Sequence, residues 1–457
     1  MPTEYSPILK PAKPKKDFIF GAFTGHALSL RKARLDFMYQ SMLKLGPFME
    51  MFLLRRKTYI LVHPDAVEWV LKTNAKNYPK NTPGYKKVSD VIGDGIFTDV
   101  GTPWKNARKI TQPFFNPKKF DRYRDIVEKE CHHALNIIEQ RNNADVPFNI
   151  SLLMTEFTLQ VLGQTLFGEN LGQFVDVINK DLSTLIHITE DRLIQINPFP
   201  SFYKAKQNKQ FDKAMHSLDK VILDLIEQTK KQKLDPENNF VHAFLNAPFE
   251  VTNKFLLDQV KTITFSGHET SANVLSWTFY YLGKNPIWKS KITQEVRELR
   301  GEKEIRASDI EQMPLLTMFL KESMRLRPPA WSFGRLTLEK DHIHGHEISP
   351  DDLITISPFL IHHNPAIWTD PEKFDPTRFE KGKVHHPFGY IPFGGGKRVC
   401  LGIELAMLEM RMILAGVLNK YDIELPKDFD VAVEPCISLR PSQPIQMYIS
   451  KRKEQKN

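Results

Sequence analysis

The sequence predicts a mainly α fold with small β-sheets, formed by one large domain of a 457-residue chain. Apolar residues recur at helical spacing through most of the chain, whereas strand-like runs occur only near the start and after Pro329. No glycine/serine linker, internal repeat or low-complexity tract divides the chain. We therefore expect a Pro/Lys-rich segment over 1–17 and a single helical domain over 18–457.

The elements can be assigned in chain order from apolar spacing and from the residues that stop a helix. Residues 48–62 predict two strands around a basic turn, and short strands follow Pro329 up to about Pro358. The predicted helices are 64–73, 123–168 with a break at 145–148, 175–193, 204–233, 254–282, a helix ending at Arg327, and 401–420. A proline-broken loop at 197–202 separates two of these helices.

Charge and cysteine content narrow the class of protein. Lys and Arg outnumber Asp and Glu by 63 to 54, and the net charge of +9 permits an acidic partner, a nucleic acid or an anionic membrane without selecting one. Three cysteines, Cys131, Cys400 and Cys436, are too few for a disulfide framework or a cysteine-rich zinc site. No secretory signal or membrane-spanning stretch is found. We expect a cytoplasmic monomer without a transmembrane anchor or a nucleic-acid partner.

The strongest chemical signal is a glycine-rich loop with one cysteine, Phe393-Gly-Gly-Gly-Lys-Arg-Val-Cys400-Leu-Gly402, directly before a helix. Glycines permit a tight loop whose backbone N–H groups approach the sulfur. The positive end of the helix dipole predicts a lowered pKa for the Cys400 thiol, and hence a thiolate. A lone thiolate suits the axial position of a haem iron. A phosphate-binding loop fits less well, because the GxxxxGK[ST] spacing is absent.

Six residues of this loop match the haem-binding signature FxxGxRxCxG: Phe393, Gly394, Gly396, Arg398, Cys400 and Gly402. With four further motifs in the expected order, the chain is similar to the cytochrome P-450 family from about residue 18 onward. The resemblance implies the cytochrome P-450 fold and haem b as cofactor. It also implies that Cys400 is the iron ligand, that Arg398 pairs with a haem propionate, and that Phe393 and Gly402 belong to the cofactor loop.

Two more segments resemble the family's contacts to the propionates. Trp104 and Arg108 lie four residues apart, on one face of a helix, where the family has a WxxxR motif. Arg335 resembles another propionate partner, and His363 is a weaker candidate. Burying propionates without cationic partners would be costly, so several arginines are expected. The alternative for the first pair is a surface arginine packed on an indole.

Glu322 and Arg325 lie three residues apart and can pair on one helix face. By itself this spacing is typical of an ordinary surface pair of small energetic value. Its place before a Pro-Pro stop and upstream of Pro376-Thr-Arg378-Phe379 resembles the family's ExxR and PxRF motifs. The resemblance implies that Glu322, Arg325 and Arg378 form a structural triad in the core beside the haem.

The long helix carries Phe265-Ser-Gly-His-Glu269-Thr270-Ser. Its glycine leaves room for a ligand, and an adjacent carboxylate and hydroxyl can deliver protons. The alternative is a polar patch on a core helix, with Thr270 bonded to a carbonyl of its own helix. The segment resembles the family's [AG]GxE/D-T motif, which implies Glu269 and Thr270 as the catalytic acid and alcohol. Ser266 stands where alanine is usual, so its hydroxyl could hold a water or contact substrate.

Scattered side chains are candidates for a substrate pocket: Val88, Ile92, Phe199, Phe202, Phe265, Ser266, Trp331, Phe333 and Ile437. Each apolar one could equally belong to the core, but together they predict a pocket for a hydrophobic molecule. The long-helix motif is most similar to the fatty-acid and alkane hydroxylating branches of the family. Terpenoid or steroid-like substrates are further options.

The resemblance implies a monooxygenase that inserts one oxygen atom of O2 into its substrate, with electrons from a ferredoxin or flavodoxin-type donor and its reductase. Because the sequence ends soon after Pro444-Ile-Gln-Met-Tyr-Ile-Ser450, we expect the electrons to come from a separate protein and not from a fused flavin reductase. Basic residues near the expected thiolate would suit an acidic donor: Lys105, Arg108, Lys109, Lys118, Lys119, Arg122, Lys383 and Lys397. Two alternatives stay open, a peroxide-driven peroxygenase and a non-catalytic protein that binds haem or a hydrophobic ligand.

Overall fold

Capping residues set where several helices of the computed structural model begin. The structure describes residues 12–15, 25–53, 56–141, 143, 145–193, 202–232, 235–383 and 385–452. The Thr82 hydroxyl accepts a hydrogen bond from the Tyr85 N–H group, and the Thr252 hydroxyl accepts one from the Phe255 N–H group. Each hydroxyl satisfies a backbone donor that the first helical turn leaves free, so each marks a helix start.

The helices are numbered in chain order. They are α1 (Ala27–Leu45), α2 (Pro64–Glu68), α3 (Pro83–Ile92), α4 (Gly101–Thr111), α5 (Phe120–Arg141), α6 (Ile150–Leu162), α7 (Val175–Leu193), α8 (Phe202–Lys231), α9 (Phe240–Leu245), α10 (Asn253–Lys284), α11 (Pro286–Arg300), α12 (Pro314–Leu326), α13 (Pro358–His362) and α14 (Ile403–Lys420). Single π-helical turns follow α2 and α6, at Trp69–Thr73 and Gly163–Phe167.

The strands form small sheets. They are β1 (Phe48–Leu53), β2 (Arg56–Leu61), β3 (Phe148–Asn149), β4 (Phe333–Leu336), β5 (Asp341–Ile343), β6 (His346–Ile348), β7 (Leu353–Ile356), β8 (Tyr421–Glu424), β9 (Val433–Pro435), β10 (Leu439–Pro441) and β11 (Gln446–Lys451). One sheet has the order β1-β2-β7-β4, in which β2 and β7 are parallel and the other neighbours antiparallel. The order β3-β11-β8 joins the middle of the chain to its end, and two hairpins pair β5 with β6 and β9 with β10.

The long helix α10 is the centre of the fold. It packs most extensively on α6 and also contacts α8, α12 and α14. Its carboxyl-terminal half is buried nearly all round, with Trp277 and Phe279 among the largest fully buried side chains. A helix that is apolar on every side belongs inside a large protein. No helix within the described part of the chain combines the length and the apolarity that crossing a bilayer requires.

The mainly α class with small sheets is confirmed, and most predicted elements lie within a few residues of the observed ones. The prediction missed α1, α3, α9 and α11. Of these, α1 is interrupted by non-helical dihedral angles at Ala33 (φ −155°, ψ 69°). The prediction also missed strands β8 to β11, because short strands are specified by pairing with distant segments. Of the loop predicted at 197–202, residues 197–201 lie outside the described residues, as does most of 1–17.

Candidate functional site

A cavity of about 1400 Å³ lies between α10, the loop before α14 and the sheet that contains β4 and β7. It brings together most of the predicted site residues from distant parts of the chain. Those that line it are Val88, Trp104, Arg108, Ser266, Thr270, Trp331, Phe333, Arg335, Phe393, Arg398, Cys400, Gly402 and Ile437. The cavity is large enough to hold a cofactor and an organic substrate together.

The glycine-rich loop has a shape that its sequence requires. Gly394 and Gly396 have φ of +71° and +67°, in the left-handed region that side chains disfavour. A Cβ atom on Gly396 would lie 1.9 Å from the carbonyl oxygen of Leu71, so this position admits only glycine. The Cys400 N–H group donates to the Phe393 carbonyl over 3.1 Å. The closed loop presents the Cys400 side chain to the cavity just before α14.

The electrostatics of the Cys400 thiol differ from the prediction. The Cys400 side chain is exposed at the cavity, but its enclosure by the surrounding protein raises the pKa of this thiol above its ordinary value. The Gly402 N–H group, which donates to the sulfur, and the nearby Arg108 guanidinium both oppose that rise without cancelling it. The predicted lowering of the thiol pKa is therefore wrong for the protein alone, because the low dielectric outweighs the helix terminus. The Gly402 N–H group and the Arg108 guanidinium nevertheless both stabilise the charged form of this sulfur.

A second cysteine, Cys436, also lines the cavity. Burial raises the pKa of its thiol to about 12, and the neighbouring carboxylates, Glu434 among them, raise it further. His187, Glu434 and Cys436 have potential metal-ligand atoms within 4.8 Å of one another. The Arg440 guanidinium already bonds Glu434 (2.8 Å) and His187 (2.7 Å), so a cation would meet a positive charge there. Cys400 is thus the better placed sulfur for a metal.

Three cationic side chains, Lys80, Arg335 and Arg398, line one part of the cavity and form what we call the cationic cluster. Burial lowers the pKa of Lys80 well below its ordinary value, and the charges of Arg335 and Arg398 lower it further. The Lys80 Nζ donates to the Phe97 carbonyl over 2.6 Å, and Arg335 bonds the Tyr85 hydroxyl. Lys80 and Tyr85 were missed in the sequence, because nothing there shows that Lys80 is buried.

The cationic cluster has the features of an anion site. Burial and the neighbouring Arg335 lower the pKa of Arg398 to about 10. The Arg398 Nη1 atom is buried without a hydrogen-bond partner, while its Nη2 donates to the Asp99 carbonyl over 2.8 Å. Mutually repelling buried cations with an unused donor fit a group that carries carboxylates, such as the two propionates of haem. The residues present therefore fit the cofactor that the resemblance implies.

One face of α10 forms the opposite wall of the cavity. Ser266 and Thr270, one helical turn apart, both line it. The Thr270 hydroxyl donates to the Ser266 carbonyl over 2.9 Å, and the Ser266 hydroxyl donates to the Thr262 carbonyl over 2.7 Å. Each hydroxyl oxygen can still accept a hydrogen bond from a molecule in the cavity. A Cβ atom on Gly267 would lie 2.7 Å from a methyl group of Leu162, so α6 approaches α10 closely here.

Glu269 does not line the cavity, although it is adjacent to Thr270 in sequence. Its Oε1 accepts a hydrogen bond of 2.6 Å from the Ser438 hydroxyl, and burial raises the pKa of its carboxyl group. Phe265 and Glu269 are four residues apart and share a helix face, which differs from that of Ser266 and Thr270. The structure therefore does not bring the predicted acid and alcohol together at the cavity.

Two of the predicted pocket residues belong to the core. Ile92 and Phe265 are buried in the apolar cluster between α7, α8 and α10 and are absent from the cavity lining. Phe265 fails as a pocket residue because it shares the helix face of Glu269. The weaker candidate His363 stacks on Phe359 (4.1 Å between ring centroids), also away from the cavity. Phe199 lies outside the described residues, and Phe202 begins α8.

The residues of the predicted triad meet in the core. The Arg325 Nε and Nη2 atoms donate to the two carboxylate oxygens of Glu322 over 2.8 and 2.9 Å, and both side chains are fully buried. The Arg378 Nε lies 3.4 Å from Glu322 Oε1. Arg325 also donates to the carbonyls of His362 and Lys373. The triad ties α12 to the chain segment that precedes the cysteine loop.

The predicted basic residues divide into two groups. Lys105 and Lys109 of α4 and Lys397 of the cysteine loop are exposed. The helix α4 is fastened to that loop, because the Arg108 Nη1 donates to the Val399 carbonyl over 3.3 Å. Arg108 itself faces the cavity, and Lys119 bonds the Asn238 side chain. Three exposed lysines thus lie on α4 and on the loop that carries Cys400.

The chain was compared with known proteins. The family model described as Cytochrome P450 matches residues 16–448. "Cyclooctatin synthase" of Streptomyces melanosporofaciens is 28% identical over 423 residues, which cover 91% of each chain. "Cytochrome P450 4F5" of Rattus norvegicus is 31% identical over 83% of this chain and 78% of its own. "Cytochrome P450 4V2" of Mus musculus is 25% identical over 94% of this chain and 88% of its own.

Proposed function

This chain belongs to the cytochrome P450 family, whose members are haem b monooxygenases, and from that premise we propose that Cys400 is its thiolate ligand. The observation that carries the proposal is the single cavity onto which the cysteine loop, the cationic cluster and the Thr270 face of α10 all open. Cys436 lines the same cavity, but no N–H donor to its sulfur is described, and the nearby carboxylates of Glu434, Glu190 and Glu269 oppose the Arg440 charge that favours its thiolate.

The residues that would hold the cofactor follow from their charges. Lys80, Arg335 and Arg398 would bind the propionates, because burying these cations costs less beside a carboxylate. Trp104 restrains the Arg398 guanidinium by a cation–π contact, with the Cζ atom 3.7 Å from the ring centroid. Arg108 would neutralise charge beside the sulfur. When bound, haem b supplies the iron that favours the Cys400 thiolate and activates O2 for insertion into a C–H bond.

Thr270 is the proposed alcohol that handles protons at the cavity. Its hydroxyl lies on the wall of the cavity and can accept and pass a proton while its hydrogen bond to the Ser266 carbonyl holds it in place. Glu269 stays the proposed acid partner. Its carboxyl group would have to leave Ser438 by side-chain rotation, and the raised pKa means that it would carry a proton more readily than an exposed glutamate.

The substrate is proposed to be a hydrophobic organic molecule, with a fatty acid, an alkane, a terpenoid or a steroid-like compound as the classes to test. The wall above Thr270 is largely apolar, and the predicted residues Val88, Trp331, Phe333 and Ile437 contribute to it. The Trp331 indole is held by a 2.7 Å hydrogen bond to the Cys436 carbonyl, so this part of the wall is rigid. Ser266 adds a hydroxyl that could bind a polar group of the substrate.

Members of the family require a redox partner, and we propose an acidic ferredoxin or flavodoxin-type protein with its reductase. Lys105, Lys109 and Lys397 are exposed beside the loop of the proposed ligand. A positive surface next to the electron acceptor speeds encounter with a negative donor. The proposal also places the enzyme in the cytoplasm as a monomer, where its three thiols would stay reduced.

The test is the absorption spectrum of the dithionite-reduced protein with carbon monoxide. We expect the strongly red-shifted Soret band of a thiolate-ligated haem in the wild type, and its loss in Cys400→His. Cys436→Ser is the matched control, because it removes the other thiol of the same cavity and should keep the band. A band that persists in Cys400→His, or disappears in Cys436→Ser, would contradict the assignment. Turnover with peroxide but not with a reductase system would point to a peroxygenase instead.

A further inference from the structure

Glu409, on α14, is a buried acid that forms no ion pair among the residues that the structure describes. Its side chain is 4% exposed, and it lines the same cavity as Cys400 and Thr270. Its carboxyl group hydrogen-bonds the Ser271 side chain of α10. A carboxyl group without a cation is expensive to bury in its charged form, so the neutral acid is favoured.

The surroundings of Glu409 are consistent with a stored proton. Burial raises the pKa of its carboxyl group to about 8, and the hydrogen bond with Ser271 lowers it only in part. No charged side chain of the described residues shifts it further. A glutamine could form the same hydrogen bond to Ser271, so this contact does not require an ionisable group. The protonated carboxyl group of Glu409 is therefore a candidate proton donor to a molecule in the cavity.

Glu409 is also better placed than Glu269. The carboxyl group of Glu269 is turned to Ser438, away from the cavity, whereas that of Glu409 is at its wall. Ser271 follows Thr270 directly on α10, and both line the cavity. A path of two groups, a carboxyl and a hydroxyl, thus leads from α14 to the side of the cavity where Thr270 lies.

We propose that Glu409 and Ser271 form a second proton-delivery site of the cavity, in addition to Thr270. The proposal rests on the proposed monooxygenase function. The overall reaction converts substrate, O2, two electrons from the redox partner and two protons into hydroxylated product and water. One proton leaves the Glu409 carboxyl group for the Ser271 oxygen as the hydroxyl's own proton enters the cavity. Solvent then returns a proton to the Glu409 carboxylate, so the site is unchanged after each turnover.

The first test does not depend on turnover. In the haem-loaded protein, infrared spectroscopy should show a protonated-carboxyl C=O band that persists to a higher pH than that of an exposed glutamate, because burial raises the pKa of Glu409. Glu409→Gln should remove this band, and Ser271→Ala should shift it. Glu424→Gln, at an exposed acid of β8, is the control and should leave it unchanged. A band that Glu409→Gln leaves intact would overturn the proposal.

The second test measures O2 consumption with a surrogate ferredoxin and ferredoxin reductase. Glu409→Gln should lower the rate on the order of 100-fold, the low end for a positioned proton donor, and Ser271→Ala should lower it similarly. Glu409→Asp, which keeps an acid, should recover part of the rate. Equal rates in wild type and Glu409→Gln, with haem content equal, would overturn the proposal. Failure of the monooxygenase function itself would show separately, as a wild type that lacks the red-shifted carbon monoxide band.

Discussion

The guanidinium group of Arg398 lies with its Cζ atom 3.7 Å from the ring centroid of Trp104, and its Nη1 atom is buried without a hydrogen-bond partner. The contact with the indole ring restrains the position of the guanidinium, and the bond from Nη2 to the Asp99 carbonyl restrains its direction. One N–H donor is thus held ready for an acceptor that no described side chain provides. Trp104 acts on the cofactor site through Arg398.

Arg398→Ala should weaken haem retention. A hydrogen bond to a charged group is worth about 1.5–3 kcal/mol, so haem should be lost roughly 10- to 100-fold faster. Transfer of haem to an excess of a scavenging globin measures this rate. Arg124→Ala, which removes an exposed arginine paired with Asp121, is the control. Equal rates of haem loss in Arg398→Ala and the control would contradict the role of Arg398.

Haem binding should be coupled to proton uptake at Lys80. The pKa of Lys80 is well below its ordinary value because it is buried beside two arginines, and a propionate next to it would raise that pKa. At Lys80 the bound protein therefore holds more protons than the free protein, and this contribution makes haem affinity fall as pH rises, whereas Cys400 releases a proton when its thiolate forms. Calorimetry in buffers of different ionisation enthalpy measures the net proton exchange. Lys80→Met should shift this exchange toward release, and an exchange equal to that of the wild type would contradict the prediction.

Glu322→Gln should strongly destabilise the protein. It leaves Arg325 as a buried cation with only carbonyl partners, and breaking a buried pair in this way costs about 3–5 kcal/mol. Urea denaturation of the haem-loaded protein measures the loss. Asp121→Asn breaks an exposed pair and should change stability little. A midpoint for Glu322→Gln that matches the control would show that the triad is not structural.

Reversing the charges of Lys105, Lys109 and Lys397 to glutamate should slow reduction by an acidic donor and weaken its dependence on ionic strength. Stopped-flow reduction by a surrogate ferredoxin, measured at several salt concentrations, checks this. A matched triple reversal uses exposed lysines from other parts of the chain: Lys209, Lys303 and Lys427. A larger effect from the matched set than from the first set would place the donor elsewhere.

His268 should make the fold sensitive to mild acid. Burial lowers the pKa of this imidazole to about 4, although its Nδ1 contacts the Thr264 carbonyl at 2.6 Å. The unfolded chain takes up a proton near pH 6.5. Its stabilising contribution is therefore complete above pH 6.5 and is lost as pH falls toward 4. Denaturation of wild type and His268→Gln across this range measures it, and parallel stability curves would contradict the prediction.

The fold class, several helices and the cysteine loop could be predicted from the sequence, because each depends on residues that are close together in the chain. Helix periodicity and proline stops located α7, α8, α10 and α14 to within a few residues. The loop that carries Cys400 could be recognised in the sequence, because its shape requires glycine at Gly396, where the backbone is left-handed and a Cβ atom would clash. The family resemblance then supplied haem b, and the comparison with known proteins confirmed the family.

The tertiary structure decided what depends on burial and on contacts between distant segments. Nothing in the sequence distinguishes Lys80 from the exposed lysines, or Glu409 from the exposed acids, because desolvation arises only when several elements close around a side chain. The way α10 packs also places Ser266 and Thr270 at the cavity, whereas the Glu269 carboxyl group accepts a hydrogen bond from Ser438. The sequence by itself determined the fold class and the cysteine loop. The tertiary structure determined which groups of the site are charged, because a side chain is removed from water only when the folded protein surrounds it.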